Sequence, residues 1–486
     1  MNTCSEYTLP EKYNAKLSVI CKRGIASLLK NHKWISSIWQ YLNNSSTIIS
    51  NITIHSETIE EGAHRFNILA ELCAFLKLKP ELVTKDIVDK LERIVTGQEH
   101  GTRITTEQRY FIRKYFELDT DGINAISHFE TYIRDTGLLS EQGQLLLNPY
   151  TSILNLNEIY VQSKYKFTVS YKYKGHLYRN ITLYTTKAIS ITNAKDKIYL
   201  RQLVVYVCLY PYLLGQESLA TGPKAITLYL INFPKRFMQA KGKDPLVYTS
   251  SEINTGVCDM INIAVTRSEE ALKTVLHELF HFYDMDFKHA HIPHEHQLNA
   301  QYNINNKLDS LNLFEAYTEC ITSIVNILGW MYFSSPFATA KYDKTPDYAL
   351  DKTLLCNMFC KQVIYTTYKL AKILKLNKCA RFMDSGCQLN QTTNVASYFL
   401  FKLFLYFDLA TLSNACISRE APKFIDTKTS IAQFMSIISN GAENKLLGTI
   451  INYLLETVEF DKITSARMTC VDVKLPRNPD FTPFRV

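Results

Sequence analysis

The spacing of apolar residues changes twice along the chain. Residues 1–150 repeat them at helical spacing, for example over Leu17–Leu29. Polar and apolar residues then alternate, as they do over Tyr165–Tyr173, which is typical of strands. Helical spacing returns at Glu269 and continues to about Leu455. We therefore predict an α+β fold with a helical N-terminal region (1–150), a sheet-containing half (151–290) and a mostly helical half (291–486).

The same pattern predicts the individual elements of the first two regions. Three more helices are expected in the N-terminal region, at His64–Leu76, Lys85–Ile94 and Glu107–Phe116. A central mixed or antiparallel sheet is expected to follow, beginning with a hairpin across Lys174-Gly175. Its strands are Tyr165–Tyr173, His176–Tyr184, Leu203–Cys208, Ala225–Ile231 and Ile261–Val265. The last of these strands could hold an extended peptide along a free edge.

A helix is predicted directly after the last strand, and it carries an H-E-x-x-H motif. A capping box over Thr266–Glu269 predicts its start. Residues four apart lie on one helix face, so His277 and His281 can bind one Zn²⁺ together. Glu278 follows the first histidine and can accept a proton from a water at the metal. The alternative is a helix that carries two surface histidines.

A catalytic zinc site needs a third protein ligand, and two regions offer one. The first is the histidine-rich loop with His289, His291, His294 and His296. The metzincin motif does not continue into it, because that motif needs glycine and histidine where this chain has Asp284 and Phe287. We favour a polar loop here, with an accessory metal site as the alternative.

The second region is an apolar helix that begins near Leu313. Its Glu315 and Glu319 lie one turn apart on one face. Glu315 can bind the metal while Glu319 accepts an imidazole N–H, which fixes the tautomer of a ligand histidine. Two solvated glutamates on an amphipathic helix are the alternative.

H-E-x-x-H followed by a helix with E-x-x-x-E resembles the gluzincin metallopeptidases. Further segments are similar to metallopeptidases of large DNA viruses, namely Asn254–Gly256, Glu269-Glu270, Phe314–Glu319, Thr393–Phe399 and Ala466–Thr469. The resemblance implies a zincin-like fold with its site in a cleft between two halves. It also implies one Zn²⁺ per chain on His277, His281 and Glu315, with Glu278 as general base and Glu319 as the orienting acid.

Peptide hydrolysis also requires stabilisation of an oxyanion, and a Tyr, His or Arg often helps the metal with this. Tyr398 is the first candidate, by the resemblance and because it lies in the helical half. Tyr317 and Arg467 are weaker candidates. A packed aromatic ring or a surface cation is the alternative for each of the three.

Composition bounds the remaining properties. The chain has 486 residues, 46% of them hydrophobic, and a formal net charge of +8 without a dense basic block. We therefore expect a globular protein and find no clear nucleic-acid signal; oligomeric state is not indicated. A peptide or protein substrate is what the resemblance to the gluzincins implies. The apolar stretches around Leu203–Leu214 and Tyr398–Leu412 are interrupted and too short for a membrane span.

The cysteines and the N-terminus suggest a compartment. The chain has 12 scattered cysteines, which we interpret as buried thiols in a reducing environment rather than as a disulfide set. No apolar stretch follows Met1, so we expect no signal peptide and a cytoplasmic protein, in the host cytoplasm or virion if it is viral.

Two functions agree with these observations. The first is zinc-dependent peptide-bond hydrolysis, with a role in viral protein processing if the resemblance holds. The second is a catalytically silent structural or virion-assembly protein that keeps the zincin fold and a structural zinc. An intact Glu278 favours the first, because a purely structural site needs no base.

Overall fold

The computed structural model describes residues 7–59, 162–232, 253–334 and 349–471. Within these ranges the described residues exclude positions 291, 293–294, 307–310, 385, 392, 461–462 and 464. They also include positions 235, 237, 247 and 248. The helices predicted at 64–76, 85–94 and 107–116 lie outside these residues.

Helices dominate the two ends of the described chain. They are α1 (Glu11–Asn31), α2 (Lys33–Asn43), α3 (Ser45–Ile48), α4 (Ala194–Leu213), α5 (Ala271–Phe282), α6 (Glu295–Gln301), α7 (Leu313–Phe333), α8 (Lys352–Leu376), α9 (Lys402–Phe407), α10 (Leu409–Cys416), α11 (Lys428–Asn440) and α12 (Lys445–Thr457). A π-helical turn, Ala396–Phe401, directly precedes α9.

The strands form one large and one small sheet. They are β1 (Ile49–Thr58), β2 (Tyr165–Tyr173), β3 (His176–Thr185), β4 (Ala225–Leu230), β5 (Val247–Tyr248), β6 (Gly256–Cys258), β7 (Asn262–Val265), β8 (Ile304–Asn306) and β9 (Leu389–Gln391). The large sheet has the order β1-β2-β3-β4-β7-β6, and the small sheet has the order β5-β9-β8.

The large sheet is mixed, and the predicted α+β class is confirmed. Strands β1, β2 and β3 are antiparallel, β3-β4 and β4-β7 are parallel, and β6 returns antiparallel to β7. The predicted hairpin is present, with Tyr173 opposite His176. Lys174 and Gly175 both have positive φ, as a two-residue hairpin turn of the primed type requires.

One predicted strand was wrong, and one strand of the large sheet was not predicted. The segment Leu203–Cys208 is not a strand but part of α4, where every residue from Gln202 to Pro211 is buried. A helix buried on all sides shows no helical period, so its β-branched residues suggested a strand. Conversely, Ile49–Thr58 lies in the region expected to be helical, yet it forms β1 and extends the sheet beside β2.

The edge of the sheet nearest α5 belongs to β6 rather than to β7. Strand β7 is paired on both sides, with β4 and with β6, so the free edge predicted for residues 261–265 is absent. Strand β6 is the last strand of the sheet and packs against α5. Helix α5 therefore lies behind a short antiparallel edge strand.

The described C-terminal half is mostly helical, as predicted. Within the described residues no single helix is long and apolar enough to cross a membrane. One pair of helical segments, 396–407 and 409–416, is long and apolar enough when taken together, but it is bent by 88°.

The cysteines agree in part with their interpretation as thiols. Cys379 and Cys387 are joined by a disulfide, whereas Cys21, Cys208, Cys320, Cys416 and Cys470 are buried thiols.

A glycine on α7 makes the contact between this helix and α4 possible. A Cβ at Gly329 would lie 2.0 Å from the Tyr206 hydroxyl. We expect Gly329→Ala to lower the free energy of unfolding by about 1–3 kcal/mol, because the core has no room for the added methyl group. Gly448 on α12 is the matched control, since its nearest contact would be an ordinary 3.6 Å.

The two alanine variants should therefore change stability in opposite directions. Gly448→Ala should stabilise the protein slightly, by about 0.5–1 kcal/mol, through helix propensity alone. Urea denaturation followed by circular dichroism measures both. Equal stabilisation by the two substitutions would show that α4 can move away from α7.

Candidate metal centre

Helix α5 presents one polar face inside an otherwise apolar environment. Leu272, Val275, Leu276 and Leu279 are at most 1% exposed and attach the helix to the core. His277 and His281 are also buried, with 6% and 9% exposure, so the alternative of two surface histidines is wrong. Buried polar side chains must find partners, and those of the histidines come from α7 and from Asp286, just after α5.

The start of α5 is held by buried ion pairs instead of a capping box. The helix begins at Ala271 after Glu270, whose backbone is left-handed, and no side chain caps it. The carboxylate of Glu269 accepts a hydrogen bond from the Lys235 backbone N–H at 2.5 Å. The predicted capping box is therefore wrong, because Glu269, which would have completed it, binds the backbone of Lys235 instead.

Glu270 ties the same helix start to the far end of the described chain. Its Oε1 accepts the backbone N–H groups of Met468 (2.8 Å) and Thr469 (2.6 Å). Its Oε2 lies 3.0 Å from Lys235 Nζ. These partners fix the N-terminal end of α5, and with it the direction in which the two histidines project.

Three side chains from α5 and α7 form a buried group that could hold a metal ion. They are His277, His281 and Glu315, and one ligand atom from each lies within 4.8 Å of the others. Glu315 Oε2 lies 3.0 Å from His277 Nε2 and 3.5 Å from His281 Nε2. The two Nε2 atoms are 2.9 Å apart. Among the described residues this is the one such group.

The outer nitrogens of both histidines face carboxylates. Glu319 Oε1 lies 2.9 Å from His277 Nδ1, and Asp286 Oδ2 contacts His281 Nδ1. A carboxylate beside Nδ1 favours the tautomer that carries its proton there, which leaves the lone pair of each neutral imidazole on Nε2. Both lone pairs then point at the same place, together with an oxygen of Glu315.

This convergence fits a cation. Three lone-pair-bearing atoms at such short separations repel one another unless a positive charge lies between them. Burial lowers the pKa of both histidines, but the surrounding carboxylates more than reverse this and raise the pKa, well above its usual range for His281. A metal ion must therefore displace protons from the imidazoles, so metal binding should weaken as the pH falls.

Glu315 is charged under the same conditions. Burial raises the pKa of its carboxyl, but the imidazoles of His281 and His277 outweigh this and lower the pKa to about 2. The donor set is thus two imidazole nitrogens and one carboxylate oxygen, a combination that suits Zn²⁺.

Glu278 lies beside this group and against the edge strand. A Cβ at Gly256 would be 2.5 Å from Glu278 Oε1, so the absence of a side chain on β6 makes room for the carboxylate. Burial raises the pKa of Glu278, and the neighbouring imidazoles oppose this. A carboxylate with a raised pKa, next to a cation site, is a better proton acceptor than an exposed one.

Tyr398 lies next to the histidines on the π-helical turn. Its ring centroid is 6.4 Å from that of His277, in an edge-on arrangement. Burial raises the pKa of its hydroxyl, and the Glu315 carboxylate adds to this, so the group stays protonated and can donate a hydrogen bond. Single π-helical turns occur frequently at functional sites.

The structure places the two weaker tyrosine and arginine candidates elsewhere. The Tyr317 hydroxyl donates to the Pro422 carbonyl at 3.2 Å, and its ring packs among phenylalanines. Arg467 Nε lies 3.6 Å from Glu269 Oε1, at the start of α5. Tyr317 is therefore a packed aromatic ring, as its alternative had it. Arg467 is only 3% exposed, so it is not the surface cation that its alternative supposed.

The histidine-rich loop contributes nothing to the group in the part that is described. His289 is exposed, and its Nε2 lies 3.7 Å from Asp284 Oδ1. His291 and His294 lie outside the described residues, as does the side chain of His296.

Three contributors to the site were missed from the sequence: Asp286, and the two lysines Lys273 and Lys402, which both contact Glu319. Lys273 stands four residues before His277, and this spacing alone could have placed it on the same face of α5. Asp286 follows the end of the helix, and Lys402 comes from a distant segment, so no local signal pointed to either.

Comparison with protein-family models, with curated proteins and with solved structures found no match for this chain. The sequence motif and the geometry of this site are therefore what indicates a function.

Proposed function

We propose that the protein is a zinc metallopeptidase of the gluzincin type with a zincin-like fold. The observation that carries the proposal is the convergence of His277 Nε2, His281 Nε2 and Glu315 Oε2 beside Glu278. Three protein ligands leave one position of a tetrahedral zinc open, as catalysis requires. A peptidase active in the cytoplasm, on viral proteins if the resemblance to viral enzymes holds, is the corresponding biological role.

Each residue then has a chemical task. Bound to this group, Zn²⁺ supplies Lewis acidity toward water and toward a peptide carbonyl. Glu278 accepts the proton of the attacking water and passes it to the leaving amine. Tyr398 donates a hydrogen bond to the oxyanion that develops on the carbonyl. Glu319 and Asp286 keep the two imidazoles in the ligand orientation.

One observation favours the second candidate, a structural or assembly protein with a structural zinc. The side chains of His277, His281 and Glu315 are only 8–11% exposed, whereas a substrate must reach a catalytic metal. Glu278 favours the enzyme, because a structural site has no use for a buried proton acceptor beside the metal.

The direct test is metal analysis of the purified protein together with a peptide-library cleavage assay. We expect about one zinc per chain and cleavage that a chelator abolishes and added Zn²⁺ restores. Zinc without cleavage would support the structural candidate. A protein that binds no zinc would refute both.

The two glutamates of α7 should differ in their effect on zinc affinity. Glu315 faces both Nε2 atoms, whereas Glu319 faces only the outer nitrogen of His277. We therefore expect Glu319→Ala to weaken zinc binding by about 10–100-fold and Glu315→Ala to weaken it further. Competition with a chromophoric chelator measures both constants. A larger effect of Glu319→Ala would exchange the roles of ligand and orienting acid.

A further inference from the structure

Two buried lysines converge on the carboxylate that orients His277. Lys273 Nζ contacts Glu319 Oε1, and Lys402 Nζ donates to Glu319 Oε2 at 3.3 Å. The residues are almost completely enclosed, with exposures of 3% for Lys273, 0% for Lys402 and 1% for Glu319. Taking a lysine out of water is costly, so both must be compensated where they lie.

The polar side chains of α5 and α7 contact one another in a regular row along the two helices. On α5, Lys273, His277 and His281 follow one another at intervals of four, and on α7 Glu315 and Glu319 do the same. Lys273 meets Glu319, His277 meets both glutamates, and His281 meets Glu315. Lys273 therefore continues the line of the metal-site histidines by one turn.

Lys402 adds a link to a third element. It is the first residue of α9, directly after the π-helical turn that carries Tyr398. Its ammonium also donates to the Met468 carbonyl at 3.1 Å, next to the segment that holds the start of α5. Glu319 thus joins the metal helix, α7 and the Tyr398 segment through charge-assisted hydrogen bonds.

When both imidazoles are neutral, a divalent cation balances the charges of the cluster. In their charged forms, Glu278, Asp286, Glu315 and Glu319 exceed the two lysines by two negative charges. A divalent ion between the histidines cancels this excess. Without the lysines, the same buried cluster would remain negative even with the metal present.

Resting on the proposed metal site, we propose that Lys273 and Lys402 are positioning residues that fix Glu319, and through it His277, for zinc binding. They touch neither the metal ligands' Nε2 atoms nor the reacting groups. Their effect on zinc passes through the Glu319 carboxylate. Removing one of them should therefore matter only while Glu319 is a carboxylate.

A double-mutant cycle on zinc affinity tests this. Lys402→Met should weaken zinc binding by at most the about 10–100-fold expected for the loss of Glu319 itself, because Lys402 acts only through that carboxylate. In a Glu319→Gln background the same substitution should add little. The d–d absorption of the Co²⁺-loaded protein provides a second readout, and we expect its shape to change in Lys402→Met.

Lys369→Met is the matched control. Lys369 is also 0% exposed, and its ammonium donates to the Ser465 carbonyl at 2.6 Å and to the Tyr7 hydroxyl at 3.1 Å. This substitution should lower stability but leave the zinc affinity and the Co²⁺ spectrum of the folded protein unchanged. If Lys402→Met does not fold, Lys402→Gln, which keeps a hydrogen-bond donor and removes the charge, replaces it in the cycle.

The outcomes separate the two proposals. Wild-type protein that binds no Zn²⁺ would refute the proposed metal site. Tight binding by wild type with an unchanged affinity in Lys402→Met, or with additive effects of Lys402→Met and Glu319→Gln, would refute only the role of the lysines.

Discussion

Replacing Glu278 by glutamine should leave the fold and the zinc content unchanged and reduce peptide cleavage by about 10²–10⁴-fold. Glutamine has the same shape, so it fits the space that Gly256 leaves on β6. Its amide cannot accept the proton of the attacking water. Elemental analysis and a peptide-library assay on the same preparation measure both properties.

Glu456→Gln, on the exposed side of α12, is the control and should change neither property. Full activity of zinc-loaded Glu278→Gln would remove the reason to describe the protein as an enzyme. If this variant also supported the biological role in the source system, the structural candidate would be preferred. Loss of zinc would instead mean that Glu278 is itself a ligand.

The His277→Ala/His281→Ala protein should retain essentially no zinc, against about one per chain for the wild type. The two imidazoles supply two of the three donor atoms, and a lone buried carboxylate does not hold the ion. Dialysis against a weak chelator followed by elemental analysis measures the loss.

His289→Ala serves as the matched control for the histidine pair. Its imidazole is exposed and lies beside Asp284, away from Glu315, so the variant should keep its zinc. Full zinc occupancy in the double histidine variant would place the metal elsewhere in the chain.

Helical periodicity explains how much of the site could be predicted. His277 with His281, and Glu315 with Glu319, share faces because both pairs are spaced by four on helices, and the structure brings the two faces together. Spacing within one segment cannot reveal partners from another segment. Lys402 reaches Glu319 across 83 positions, and only the packing of α9 against α7 puts it there.

The two wrong predictions of secondary structure failed because they relied on local sequence patterns. A capping box is a local pattern, but the carboxylates of Glu269 and Glu270 bind partners from distant segments instead. These partners are Lys235, Arg467 and the backbone N–H of Met468. The segment of α4 from Gln202 to Pro211 is so enclosed that its sequence has no polar face to reveal the helical period. The hairpin β2-β3 was predictable because both its alternation and its turn are local.

The contact between Glu270 and Thr469 has a consequence for how the site is made during synthesis. These residues are 199 positions apart, and the carboxylate of Glu270 receives its two backbone N–H partners only from the last part of the described chain. A ribosome releases the chain from its N-terminus onward, and contacts so distant in sequence form late. The start of α5 therefore gains its full set of partners only after residue 469 has been added, about 200 residues after the helix itself has been translated.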